Sequence, residues 1–228
     1  MVFDGNITVS ILQRALRRYN VKLTGKWDLK YANAVYFGVI AVGDKFASER
    51  LKGETSETAF KSVYGYINFE MGDCELCNGS GAYTHGAHHI EFDSENPFYD
   101  ETEKSKGVYN RTPALALEMN IHQVIHELGH ALGNVWTEKG STKGPYSSLY
   151  PDADMFYSDA GFAAGPLYGS NLWRMHPYNE IESNLIHHRE AFADMFLGWV
   201  YGTWSSDLIG SARENFMQLH MTDWLNAP

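Results

Sequence analysis

The chain has 228 residues, with 18 Lys and Arg against 28 Asp and Glu, and so a formal net charge of −10. Hydrophobic residues make up 44% and charged residues 20%, which supports one sizeable core and excludes a disordered chain. The acidic balance and the scatter of the basic residues disfavour a nucleic-acid binder, which carries a basic stripe, and the longest apolar stretch, Val35 to Val42, is too short and too interrupted by Gly38 to cross a bilayer.

Ile7, Ile11, Leu12, Ala15, Leu16 and Tyr19 recur at helical spacing and predict a helix over about 8–19. A longer helix is expected from Asp28, an N-cap residue, towards Leu51, with Ala32, Val35, Tyr36, Val39, Ile40 and Phe46 on its apolar face. Residues 63–70 and 82–93 read as extended, with Gly72 to Gly81 as a loop holding Cys74 and Cys77. An acidic, turn-rich connection follows from Asp93 to Arg111. Thr112-Pro113 then signals a helix start, Leu117, Ile121, Val124, Ile125, Leu128 and Leu132 form its stripe, and Gly133-Asn134 signals its end. After a Gly- and Pro-rich stretch, two more helices are expected over about 184–201 and 206–225. The pattern is that of a mixed α+β protein with a mainly helical C-terminal part. It divides into an N-terminal subdomain over about 1–134 and a C-terminal subdomain over about 135–228. No basic segment followed by an apolar one opens the chain, so no signal peptide is expected in it.

The ten histidines carry the chemistry. Within the helix expected at 113–132 stands His126-Glu127-Leu128-Gly129-His130. Positions i and i+4 stack on one face, so both imidazoles aim at one point, while Glu127 lies about 100° round the axis. That placement suits a carboxylate that works on water held by a metal rather than on the metal itself. Catalytic zinc usually takes three protein ligands and water. A third histidine just downstream is ruled out, because Trp136 occupies the place it would need. The alternative is Glu190 in Glu190-Ala191-Phe192-Ala193-Asp194, where Glu190 and Asp194 share a helix face. Glu190 could then bind the ion while Asp194 accepts the N–H of a ligand histidine. The competing reading pairs both carboxylates with Arg189 or Arg213.

His-Glu-x-x-His followed about sixty residues later by Glu-x-x-x-Asp resembles the gluzincin, thermolysin-like zinc metallopeptidases. The resemblance covers the two motif helices and extends at most to the strand before them. It implies a zincin-like domain with the active-site helix at the base of a cleft, under a small sheet. It also implies zinc on His126, His130 and Glu190, Glu127 as general base, Asp194 behind a histidine, and a protein or peptide substrate. An edge strand would bind the substrate backbone, for which residues 88–92 are the candidate. A transition-state stabiliser is implied as well, with Tyr178, His176, His187, Tyr201 and His220 all open for that role. The rival functions are a non-catalytic zinc-containing binding module and a zinc hydrolase of non-peptide amides.

Three further signals have bland alternatives. His122, one turn before His126, is read as a supporting or surface residue, and Gly129 as a point of close backbone approach. Cys74 and Cys77 with His85 and His88 or His89 could form a second, structural zinc site, or the cysteines could form a local disulfide or stay free. Asp93, Glu95, Asp100, Glu101 and Glu103 could bind Ca2+, but they lack EF-hand spacing and fit a solvated loop.

Overall fold

The computed structural model describes residues 7–50, 53–77, 81–95, 113–140, 144–146, 185–204 and 208–226. Helix α1 (Val9–Leu16) is capped by Thr8, whose hydroxyl accepts the Ile11 N–H, and one 3-10 turn (Arg17–Tyr19) ends it. Asn20 then reverses the chain at φ 60°, a conformation asparagine tolerates, and its side-chain amide donates to the Gly65 carbonyl at 2.6 Å. Strand β1 (Val21–Gly25) follows, then α2 (Leu29–Glu49) and α3 (Ser56–Tyr64). After β2 (Ile67–Gly72), β3 (Ala82–His85) and β4 (His89–Asp93) come the three remaining described helices. These are α4 (Pro113–Glu138), α5 (Leu185–Tyr201) and α6 (Leu208–Asn226). The described architecture is thus α+β, with six helices and one small sheet, and it is mostly helical.

The sheet order is β1-β2-β4-β3, parallel except for the antiparallel β3–β4 pair. Alternation along the strands sends Ile67, Phe69, Met71, Ile90 and Phe92 into the core, and Asn68, Glu70, His89 and Glu91 to the other face. Helix α4 lies at the centre, against β3, β4, α2, α3 and α5. Phe46 of α2 stands among the rings of Tyr64 (5.7 Å between centroids), Phe196 (6.1 Å) and Trp199 (6.2 Å). Each such pair adds about 0.5–1.5 kcal/mol beyond its burial, so these contacts lock α2, α3 and α5 around α4. The Tyr64 hydroxyl, fully buried, donates to the Leu128 carbonyl at 2.8 Å, inside the motif helix. Burial also pushes the Tyr64 pKa well above its usual value, so it stays a donor.

Several expectations change. Strand β1 and helix α3 have no counterpart in the sequence reading, and residues 63 and 64 end α3 instead of starting a strand. The segment 82–93 is a hairpin of two strands, not one, with His88 in its turn. Strand β4 is flanked by β2 and β3, so residues 88–92 do not form the edge strand; β3 does. Helix α4 runs past Gly133 to Glu138 because the hairpin turn holds its last turns. Asn134 Nδ2 donates to the Gly86 carbonyl at 2.8 Å, and Glu138 Oε1 accepts the Ala87 N–H at 2.7 Å. Among the described residues, no helix is long and apolar enough to cross a membrane.

Candidate metal centre

Helices α4 and α5 pack antiparallel, since His122 meets Tyr201, His126 meets Asp194 and His130 meets Glu190. They approach closely at Gly129. A Cβ there would fall 3.0 Å from Ala193 Cα and 3.1 Å from Phe196 Cβ. Glycine costs about 1 kcal/mol against alanine in a helix interior. Here it lets the two motif helices approach closely enough for their side chains to share one site.

That site is small and well defined. Glu190 Oε2 lies 3.0 Å from His126 Nε2 and 3.2 Å from His130 Nε2, and the two Nε2 atoms are 3.2 Å apart. Among the described residues, this is the one trio of His, Cys, Asp or Glu side chains placed to hold a metal ion. On the far side of the His126 ring, Asp194 Oδ1 stands 2.9 Å from Nδ1, with both groups buried. His130 Nδ1 is 3.1 Å from the hydroxyl of Tyr146. Burial falls from His126 towards Glu190, so the trio has an inner, dry side and an outer one reached by solvent.

The electrostatics favour a cation. Burial alone would depress the His126 pKa, but the hydrogen bonds and charges of Asp194 and Glu190 hold it well above its ordinary value. Burial would likewise raise the Glu190 carboxyl, yet the charge of His130 and the hydrogen bonds from both imidazoles pull it well below the usual carboxylate range. A positive charge belongs between these groups. A proton or a divalent ion held by the trio would supply it.

Glu127 points to β3. Its Oε2 accepts from the Thr84 hydroxyl at 2.5 Å, and the carboxylate is nearly buried. Neither Thr84 nor Tyr146 was found from sequence, because single Thr and Tyr residues form no motif with partners 43 and 16 positions away. Comparison found no matching family model, curated protein or solved structure. The chemistry therefore rests on the geometry of these side chains.

The other candidates stand as follows. Tyr201 lies eleven residues beyond Glu190 on α5, about 16 Å along a helix axis, and it packs edge-on against His122. That distance takes it out of the stabiliser role. His220, on α6, is stacked on Trp224 with centroids 5.4 Å apart and packs against Phe216. His176 and Tyr178 lie outside the described residues, as does the side chain of His187. His122 is fully buried, not at the surface, and burial lowers its pKa to about 4, so it is neutral at physiological pH. Cys74 and Cys77 are joined in a disulfide and offer no thiolate for a second zinc. His85 and His89 instead pair with Glu91 and Glu70, at 3.0 and 3.1 Å. Of the carboxylates considered for Ca2+, Asp93 accepts the Glu95 N–H at 2.9 Å, and Asp100, Glu101 and Glu103 lie outside the described residues.

Proposed function

We propose that this chain is a zinc-dependent peptidase of gluzincin type with a zincin-like fold. The observation that carries the reading is the spacing of the three donors. Ligands at zinc distances of roughly 2.0–2.1 Å stand ~3.3–3.4 Å from one another on a tetrahedron. The donors here are 3.0, 3.2 and 3.2 Å apart, so zinc needs an outward adjustment of only a few tenths of an ångström. Two imidazoles and one carboxylate also suit zinc and not calcium, which takes six to eight oxygens.

His126, His130 and Glu190 would hold the ion, and zinc bound there supplies Lewis acidity towards water and a carbonyl oxygen. Glu127, one position from a ligand but turned aside from the trio, takes the proton of the attacking water and delivers it to the leaving amine. Thr84 holds one oxygen of Glu127 and leaves the other for that transfer. Strand β3, the edge of the described sheet, runs beside Glu127 and offers its outer backbone to an extended peptide.

Elemental analysis of the purified chain with Glu190→Ala and Glu127→Gln tests the reading, together with a quenched-peptide assay. The expected result is one zinc per chain in the wild type, much less in Glu190→Ala, and full zinc with turnover abolished in Glu127→Gln. A folded wild type that takes up no zinc, or Glu127→Gln with full activity, would overturn it.

A further inference from the structure

Nothing in the proposed chemistry uses Tyr146, yet the packing around it is specific. Its hydroxyl lies 3.1 Å from His130 Nδ1 and 3.4 Å from the carbonyl oxygen of His130. The residue is 2% exposed. Its ring occupies the space that a side chain at Gly133 would need, because a Cβ there would fall 2.3 Å from the Tyr146 Cζ. The guanidinium of Arg189 stands over the ring at 4.8 Å, and Phe192 meets it edge-on at 6.0 Å between centroids. Arg189 and Phe192 flank Glu190 on α5, so the tyrosine is clamped between the two helices that carry the trio.

An imidazole that offers Nε2 to a cation must carry its proton on Nδ1, and an acceptor facing Nδ1 selects that tautomer and fixes the ring plane. For His126 the acceptor is Asp194. For His130 the group in that position is a phenol. A tyrosine hydroxyl can accept the Nδ1–H while donating its own proton to the His130 carbonyl, so both of its hydrogen bonds are satisfied. It does so without adding a third negative charge to Glu190 and Asp194. A further carboxylate here would weaken the ion's pull on water and carbonyl oxygen.

We propose that Tyr146 is a positioning residue of the metal site, whose hydroxyl holds His130 in the Nδ1–H tautomer and in the orientation that brings its Nε2 beside His126 Nε2 and Glu190 Oε2. The role rests on the metal-site reading above and extends it from three ligands to the group that aims the second of them. It also explains why residue 133 is glycine although the helix continues through it.

The test is zinc affinity of the full chain by chelator competition, with cobalt(II) as a spectroscopic probe, in wild type and Tyr146→Phe. The phenylalanine keeps the ring under Arg189 and removes only the oxygen. Tyr146→Phe is expected to bind zinc about 10–100-fold more weakly and to shift the cobalt absorption bands, while the metal-free protein unfolds at nearly the wild-type midpoint. Equal zinc affinity and an unchanged cobalt spectrum in the variant, beside a wild type that binds one zinc, would refute the role of Tyr146 and leave the metal site standing. A wild type that binds no zinc would overturn both. Should the variant not fold, NMR of the zinc-loaded wild type decides. A protected His130 Nδ1–H proton close to the Tyr146 ring protons is expected, and its absence refutes the proposal.

Discussion

The Thr84 hydroxyl sits 2.5 Å from Glu127 Oε2, and a short contact to a carboxylate is among the stronger hydrogen bonds a side chain can make. It fixes the rotation of the carboxylate about its last bond and engages one of its two oxygens. Hydrogen bonds to charged groups contribute about 1.5–3 kcal/mol. Part of that loss should appear in the barrier, where 1.4 kcal/mol is tenfold. On the proposed peptidase reading, Thr84→Val, which is nearly isosteric, is therefore expected to lower kcat about tenfold, with KM and zinc content close to wild type, and Thr84→Ser should restore most of it. Steady-state kinetics on a quenched peptide checks this. A kcat in Thr84→Val equal to wild type would show that Glu127 is oriented by other groups.

The helices divide into those whose information is local and those whose information is not. Helix α4 was legible because Thr112-Pro113 signals a start and an apolar stripe from Leu117 to Leu132 repeats at the helical period, and both motifs fall on helices that meet. Strand β1, five residues long, is too short for alternation to stand out, and α3 carries only a brief apolar face. Gly133-Asn134 misled for a different reason. Glycine near a helix end usually marks the stop, but here it answers to the Tyr146 ring, a contact made after the chain has turned back. Gly129 was legible as a point of close approach, and its effect lies in the spacing of α4 and α5. Gly129→Val should force those helices apart, costing about 1–3 kcal/mol by overpacking. Because Glu190 rides on α5, the zinc affinity proposed for the trio should fall with stability. A denaturant midpoint and a zinc titration on the same sample check both, and a variant with lowered stability but unchanged zinc affinity would show that the crossing does not set the site.

On the scale of the whole molecule, pH acts on stability through buried histidines of opposite kind. His122 is fully buried one turn before the site, and burial lowers its pKa to about 4 from an unfolded value near 6.5. Between those values the unfolded chain binds a proton at this position and the folded chain does not, so folding loses stability as pH falls from 6.5 towards 4. The loss approaches about 3 kcal/mol at the lower end. His126 works the other way in the metal-free protein. Its raised pKa gives stability that is present below pH 6.5 and lost as pH rises through the folded value. The two effects overlap in any single melting curve, so the difference between two proteins is the useful quantity. In His122→Phe the ring against Tyr201 is kept and the titration is removed, while the His126 contribution cancels in the comparison. With metal chelated from both, the stability gap between wild type and variant should shift in favour of the variant as pH is lowered from 7 to 4.5. A gap that stays constant across that range would mean that His122 takes up its proton without unfolding, and that the packing around Tyr201 opens to water before the rest of the helix pair does.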